Sequence, residues 1–500
     1  MKVRSYTALL GLAVAFVAGA CGGTPGSSTS GSTPAESTAT AAPATSEAST
    51  AAATEATTTA AETAPAAESA ATEAAPAVQK DGFESLGPIE MKVWTYDNQK
   101  PGLQNVIEEL TANFMKKYPN VKMTLEFKDF NSLVSTVNRA LASGKGPDIT
   151  EGNQGYQIDA AQVKAKLIIP LDKYVEAYGW DKWWGEDTWQ IFRWTEDGKT
   201  FGQGPKWGIA QTGQNVIMFV NKKKLTDLGY DAAKIPATFE EFDAFLADLK
   251  TKLPKDDPPF MFGNKEGYGT IHFIGGLQGA YGDAQPLRDW IYHVPGSTFE
   301  TEQNIKALGK LAEWNKNGYF NKDFNALGYD QAAADFAKGK GVMFVGGNWE
   351  TAIIKAGLGE SATAINMPPG PSGKHVGVGA TSGPWHISSK TKYPDVAAAW
   401  LDYIHDSDEA KALMFKYLQI PAVSDATPPA GDQFLADVTA AWQQVVADQG
   451  LTLYADWASP SMYETLAKNY QEVMAGKTTP EAAAKAIQAD WAKFHAELQG

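Results

Sequence analysis

The sequence is poor in cysteine, histidine and surplus positive charge, and each shortage removes a class of function. Cys21 is the one cysteine in 500 residues, so no disulfide can close within the chain and no thiolate cluster can hold a metal. The six histidines, at 272, 293, 375, 386, 405 and 495, show no ligand-pair spacing on a helix, and no Asp-rich calcium loop occurs. Neither a metal nor another cofactor is expected. Lys and Arg number 43 against 58 Asp and Glu, a net charge of −15; nucleic acid is disfavoured, because phosphate contacts need clustered cations. The glycine-rich stretch 375–388 contains neither GxGxxG nor GxxxxGK[ST], so it is no phosphate loop.

What the chain does have is length and aromatic residues. Five hundred residues exceed a single core, so two or more packed units are expected. The 15 Trp, 18 Tyr and 22 Phe suit a core, and they also suit carbohydrate, whose C–H faces stack on rings.

The first 80 residues have their own logic. Lys2 and Arg4 precede an uncharged apolar run over residues 8–20, a signal-peptide core too short to span a bilayer. It ends in Val17, Ala18, Gly19, Ala20 and Cys21, which resembles the bacterial lipoprotein signal. That resemblance implies cleavage after residue 20 and a lipid on Cys21, so the chain would be anchored to the outer face of the cell membrane rather than span it. Residues 21–80 read as a tether. From 22 to 79 they hold six Glu, no Lys or Arg and a single valine, and cannot bury a core.

The folded part then alternates. Strands are expected at 89–96, 121–127 and 148–150, with helices at 103–118 and 133–142 between them. This order means a parallel, doubly wound α/β sheet. In such sheets ligands sit beyond the carboxyl ends of the strands, which selects Asp97, Asn98, Asn153 and Gln154; Asn and Asp are equally at home in plain turns. Residues 180–207, rich in Trp, read as loop or short helix. Residues 208–210 and 216–223 read as a strand pair around a polar middle that contains Gln211. Thr238, with Glu241 three on, opens a helix to about 253. Phe260 to Gly263 is a strand end, followed by Glu266 and Tyr268. Helices near 301–317 and 329–338 lead to an apolar strand that ends in Gly346 and Gly347, then Trp349. Alone, Trp349 reads as core; at the end of a buried strand it also suits a stacking floor in a cleft. Ser382 and Trp385 come from the glycine-rich stretch. Helices at 394–405, 409–418, 434–449, 463–475 and 480–498 complete the chain.

Several stretches occur together in a familiar order: SGKGPDI at 143–149, GIA at 208–210 with MFVNK at 218–222, FAKGKGVMFVGGNW at 336–349, VGVGATSGPWHIS at 376–388, PDVAAAWLDYI at 394–404 and QEVMAGKTTPEA at 471–482. From about residue 88 to 498 they resemble the extracellular solute-binding proteins of ABC importers, the family that includes the maltose/maltodextrin-binding proteins. The resemblance implies two α/β lobes in discontinuous pieces, 81–210 with 375–422 and 211–374 with 423–500. Crossings would fall near 208–214, 366–376 and 419–425, with a ligand cleft and hinge between the lobes. It also implies a monomer that delivers a solute to permease subunits. Trp349 stands where sugar-binding relatives place a stacking tryptophan, Glu266 and Tyr268 match sugar contacts after a Met-Phe strand, and Asp97 and Asn98 match polar contacts at the first strand. Trp457 falls in a region that supplies a further aromatic. After Ile149 the chain departs from the maltose pattern, with Gly152, Asn153 and Gln154 in place of an aromatic and an Asp-Arg pair. A sugar, as a class, is therefore the implied solute.

Two other functions compete. A glycoside hydrolase needs paired carboxylates roughly 5–10 Å apart, and no strand-end pair of that kind stands out. The same fold could hold a polyol, a peptide or a polyamine; the last would draw on Asp97, Glu151 and Glu266.

Overall fold

The computed structural model describes residues 77–422 and 427–500. The lipoprotein signal, Cys21 and nearly all of the tether lie outside the described residues. The end of the tether is already part of the fold: the backbone N–H of Gln79 donates to the Asp395 carboxylate at 2.9 Å.

The first strand, Ile89–Thr95, buries Ile89, Met91, Val93 and Thr95 on alternate positions, as a strand with one covered face must. It pairs in parallel with Val121–Phe127 on one side and Ile149–Glu151 on the other. Parallel neighbours require crossovers, which helices Leu103–Lys117 and Phe130–Ala142 supply. The second of these starts three residues before the apolar spacing suggests, because Asp129 caps it by accepting from Ser132 N at 2.9 Å. Strand Trp385–Ile387 joins antiparallel to Ile149–Glu151 and completes a four-stranded sheet.

The second sheet is mixed and has five strands. Its centre is Gly213–Asn221, antiparallel to Met343–Gly347 on one side and to Ala362–Ile365 and Gly379–Thr381 on the other. Phe260–Met261 runs parallel to Met343–Gly347. Each sheet anchors one half of a two-lobed α/β fold, as expected.

The chain passes between the halves in extended form, and here the structure corrects the sequence reading. Residues 208–210 do not pair with 216–223. Ile209 instead bridges Trp385 of the first sheet, while Gly213–Asn221 belongs wholly to the second. The return expected near 366–376 lies between Thr381 and Trp385, because Gly379–Thr381 still pairs with the second sheet. At the third passage, Pro421 bridges Thr212, and the Ala422 N–H donates to the Gln211 carbonyl at 3.0 Å; residues 423–425 of the expected crossing lie outside the described residues.

Two further elements differ. The Trp-rich stretch contains a hairpin, Arg193–Trp194 with Phe201–Lys206, besides its short helices. Helix Tyr268–Gly279 was invisible to pattern reading because ten of its 12 residues are buried, which erases the polar face that a 3.6-residue period needs. Its glycines are there for packing: a Cβ on Gly275 would lie 2.1 Å from a Val378 methyl and 3.0 Å from the Val378 N. Ala ordinarily improves a helix over Gly by about 1 kcal/mol. Here overpacking, about 1–3 kcal/mol, should win, and Gly275→Ala is expected to lower the midpoint of urea unfolding.

Candidate ligand cleft

A cavity of about 640 Å³ opens where the two halves meet, beyond the carboxyl ends of the parallel strands. Its floor is the crossing chain itself, with Gln214, Thr381, Gly383 and Gln419 contributing from the three passages. Above the floor, eight of the expected residues come together: Asp97, Asn98, Asn153, Gln154, Glu266, Tyr268, Trp349 and Trp457 all line the cavity.

Three expected residues do not. Gln211 is buried and its side-chain amide donates to the Ile404 carbonyl at 2.9 Å. Ser382 is buried too, its hydroxyl accepting from Thr212 N at 3.2 Å. Both lie in extended chain, where successive side chains point to opposite faces. Thr381 and Gly383 face the cavity while Ser382 faces away; Gln214 faces it while Gln211, three residues earlier, does not. Trp385 is core, fully buried with its ring 5.3 Å from and edge-on to Trp400. Nor is the aromatic richness mainly a ligand feature: Trp180, Trp194, Trp290, Trp314, Trp385 and Trp400 are all fully buried.

Trp349 sits half-buried on a short 3₁₀ turn, Asn348–Glu350, directly after strand Met343–Gly347. Its indole folds back over Gly347, where an added Cβ would lie 2.1 Å from the ring. The ring is met on edge by His272, 5.8 Å away at 68°, and at a tilt by Tyr329. Tyr329 is fixed in turn: its hydroxyl accepts from Gly347 N at 2.9 Å and its own N–H donates to the Glu266 carboxylate at 3.1 Å. Glu266 thus has a bracing role beside its place in the lining. Across the cavity, Phe130 meets Tyr268 edge-on at 6.0 Å, and Tyr156 N donates to the Trp457 carbonyl at 3.2 Å. Gly155 permits that approach, since a Cβ there would lie 2.6 Å from Trp457 Cα.

Sequence reasoning missed much of the lining, including Phe130, His272, Tyr329, Tyr454 and Asp456. Tyr454 and Asp456 flank the expected Trp457 by three residues at most, so a wider window would have found them. His272 lies on a helix whose burial hid its register, Phe130 on the first turn that the apolar spacing left out, and Tyr329 at the start of a helix that was expected but not linked to the site.

The electrostatics are unusual for a surface cleft. Burial pushes Asp456 up to about 7, and burial with the charge of Asp330 pushes Glu350 up to about 8. Asp97 and the fully buried Glu151 beneath it are both raised, first by burial and in Glu151 also by the neighbouring charge of Asp97. Asp97 Oδ2 and Glu151 Oε1 find no donor among the described residues. His272 is held neutral, burial taking it down to about 3. Among the described residues no group of three or more His, Cys, Asp or Glu is arranged to hold a metal, and no helix is long and apolar enough to cross a membrane.

A two-lobed α/β fold with a cavity at its crossing strands defines a solute-binding protein. Residues 96–411 match the family described as bacterial extracellular solute-binding protein, and the chain belongs to that family, which is one of binding proteins and not of enzymes. It is similar to an uncharacterised ABC transporter extracellular-binding protein of Pyrococcus horikoshii, 22% identical over 62% of this chain and 66% of that one. It is also similar to a maltodextrin-binding protein of Bacillus subtilis, 24% identical over 48% of this chain and 54% of the relative. The matches therefore span between half and two thirds of the relatives' lengths. Among solved structures, a chitin oligosaccharide binding protein superimposes with a TM-score of 0.70 at 18% identity, covering 82% of this chain and 99% of that one.

Glu350 gives a test of these electrostatics. A carboxyl whose folded value is raised from 4.5 to about 8 holds a proton in the native state that the unfolded chain gives up earlier. Its contribution is complete below pH 4.5 and is lost as pH rises through 8. Thermal unfolding of the ligand-free protein should thus show Tm falling between pH 6 and 9, and Glu350→Gln should reduce that fall.

Proposed function

We propose that this protein is a receptor that captures a carbohydrate, a mono- or oligosaccharide, between its two lobes and delivers it to the permease subunits of an ABC importer. The observation that carries the reading is the make-up of the cavity. A braced half-buried indole, further rings and hydrogen-bonding side chains surround a space of about 640 Å³, within the range of small-ligand sites. Rings cover the apolar faces of a sugar, while Asn98, Asn153, Gln214 and the carboxyls pair with its hydroxyls. The names of the relatives, one for maltodextrin and one for chitin oligosaccharide, support the same class of solute.

The lobes, as proposed, are 81–210 with the chain after the return crossing to about 422, and the intervening chain with 423–500. Closure about the three crossings is a population shift, driven by contacts that a ligand makes with both halves. Cys21 is the attachment point: lipid there would hold the receptor on the outer face of the membrane, with 22–79 as the tether. The receptor acts as a monomer without a cofactor.

Two measurements test this. In a thermal-shift screen across saccharides, polyols and peptides, saccharides are expected to give the largest stabilisation, and a larger shift from polyols or peptides would sink the reading. With the best saccharide, Trp349→Ala is expected to weaken binding at least tenfold by calorimetry, about 1.4 kcal/mol; a loss under about 0.5 kcal/mol would remove the stacking role. For the anchor, Cys21→Ser in the producing cell should move the protein from the membrane fraction to the medium.

A further inference from the structure

The charge of the cavity goes beyond what a neutral sugar requires. Asp97, Asp129, Glu266, Asp330 and Asp456 line it, and Lys265, exposed at the rim, is the lining cation among the described residues. His272 contributes no positive charge, being neutral. An anionic saccharide, a uronate or a sugar phosphate, would meet repulsion from every side.

An acidic lining alone identifies no ligand, but Asp456 adds a second and independent feature. It is 7% exposed, it lines the cavity, and its Oδ1 has no donor among the described residues. Buried carboxylates are ordinarily paired with a cation or saturated with donors, because desolvation is costly otherwise. Here the neighbours are phenols. Tyr268, Tyr454, Tyr463 and Tyr470 all feel the charge of Asp456, which raises each of them further after burial has done so. Tyr268, Tyr454 and Trp457 continue the same wall of the cavity. A desolvated carboxylate on a wall of aromatic side chains is the combination that favours an alkylammonium: rings attract the cation and the carboxylate neutralises it. A neutral hydroxyl could accept or donate one hydrogen bond there, yet it would leave the surrounding negative charge uncompensated.

We propose that the solute of this cleft is a saccharide bearing a protonated amine, with Asp456 as the counter-ion of that amine. The proposal rests on the carbohydrate reading above, and the experiment keeps the two apart. Full-chain protein is titrated calorimetrically at low and high salt with three oligosaccharides of one length and one β-1,4 linkage: glucosamine units, N-acetylglucosamine units and glucose units. Spermidine is the fourth probe, an amine without a sugar ring. The glucosamine oligomer is expected to bind at least tenfold more tightly than the other two saccharides, with the advantage shrinking as salt is added. Asp456→Asn, close in shape, should remove that advantage; the wild-type comparison of amine with N-acetyl needs no variant and decides the matter even if the variant fails to fold. Equal binding of the three saccharides, a preference for the N-acetylated or unsubstituted oligomer, or an amine advantage that survives in a folded Asp456→Asn overturns the proposal and leaves the carbohydrate reading standing. Spermidine binding with no saccharide bound overturns both, while a failure of every probe to bind overturns the amine proposal alone.

Discussion

Between the two sheets, Ile209 and Trp385 form a backbone bridge, Ser382 N donates to the Thr212 carbonyl at 2.8 Å, and Gly213 N donates to the Ile420 carbonyl at 3.0 Å. These few bonds tie three passages of extended chain side by side, and the cleft is built on them. They set where one sheet stops and the other begins. Because a strand presents alternate residues to opposite faces, they also sort the crossing side chains into floor and core. Gln214, Thr381 and Gly383 look into the cavity, while the Gln211 amide ties its crossing to the Ile404 carbonyl and the Ser382 hydroxyl ties two crossings together at Thr212 N. Gln154 does both: it lines the cavity and donates from its side-chain amide to the Ser382 carbonyl at 2.9 Å.

Onto that floor the two halves bring different chemistry. The first contributes the carboxyl pair Asp97 and Glu151 and the ring of Phe130; the second contributes the brace of Glu266, Tyr329, His272 and Trp349, and the segment around Asp456. Several of these groups are titratable and have been pushed toward their neutral forms by burial. In the empty cleft burial holds the carboxyls of Asp456 and Glu350 near their neutral forms. Asp456 is poised to ionise where a ligand supplies the missing partner, since an opposite charge at close range restores what desolvation took away.

Much of this was legible in the chain. The alternation in 89–95 and 121–127 and the helical spacing of 103–117 appear almost residue for residue, because each element has one face in the core and one in water. Where that contrast disappears, reading fails. Helix Tyr268–Gly279 is buried nearly all round, and His272 went unnoticed with it. The glycine-rich stretch 375–388 divides between two sheets at Ser382 and Gly383, and nothing in its composition marks the change of partner. The cleft shows the same limit. The strand-end rule selects Asp97, Asn98, Asn153, Gln154 and Trp349, the resemblance adds Glu266, Tyr268 and Trp457, and these eight converge, whereas Gln211 and Ser382 are misplaced by the parity of a strand, a single-residue matter that composition does not encode.

Gly155 carries one more consequence. Its Cα stands against the backbone of Trp457, on a wall formed by the opposite half, with no room for even a methyl group. A missing side chain at that point acts as a latch seat: it lets the backbone around residue 155 close against that of Trp457. A single carbon at position 155 would have to push Trp457 away, and with it a ring that lines the cavity. The placement of that ring is thus written partly in an atom the chain leaves out.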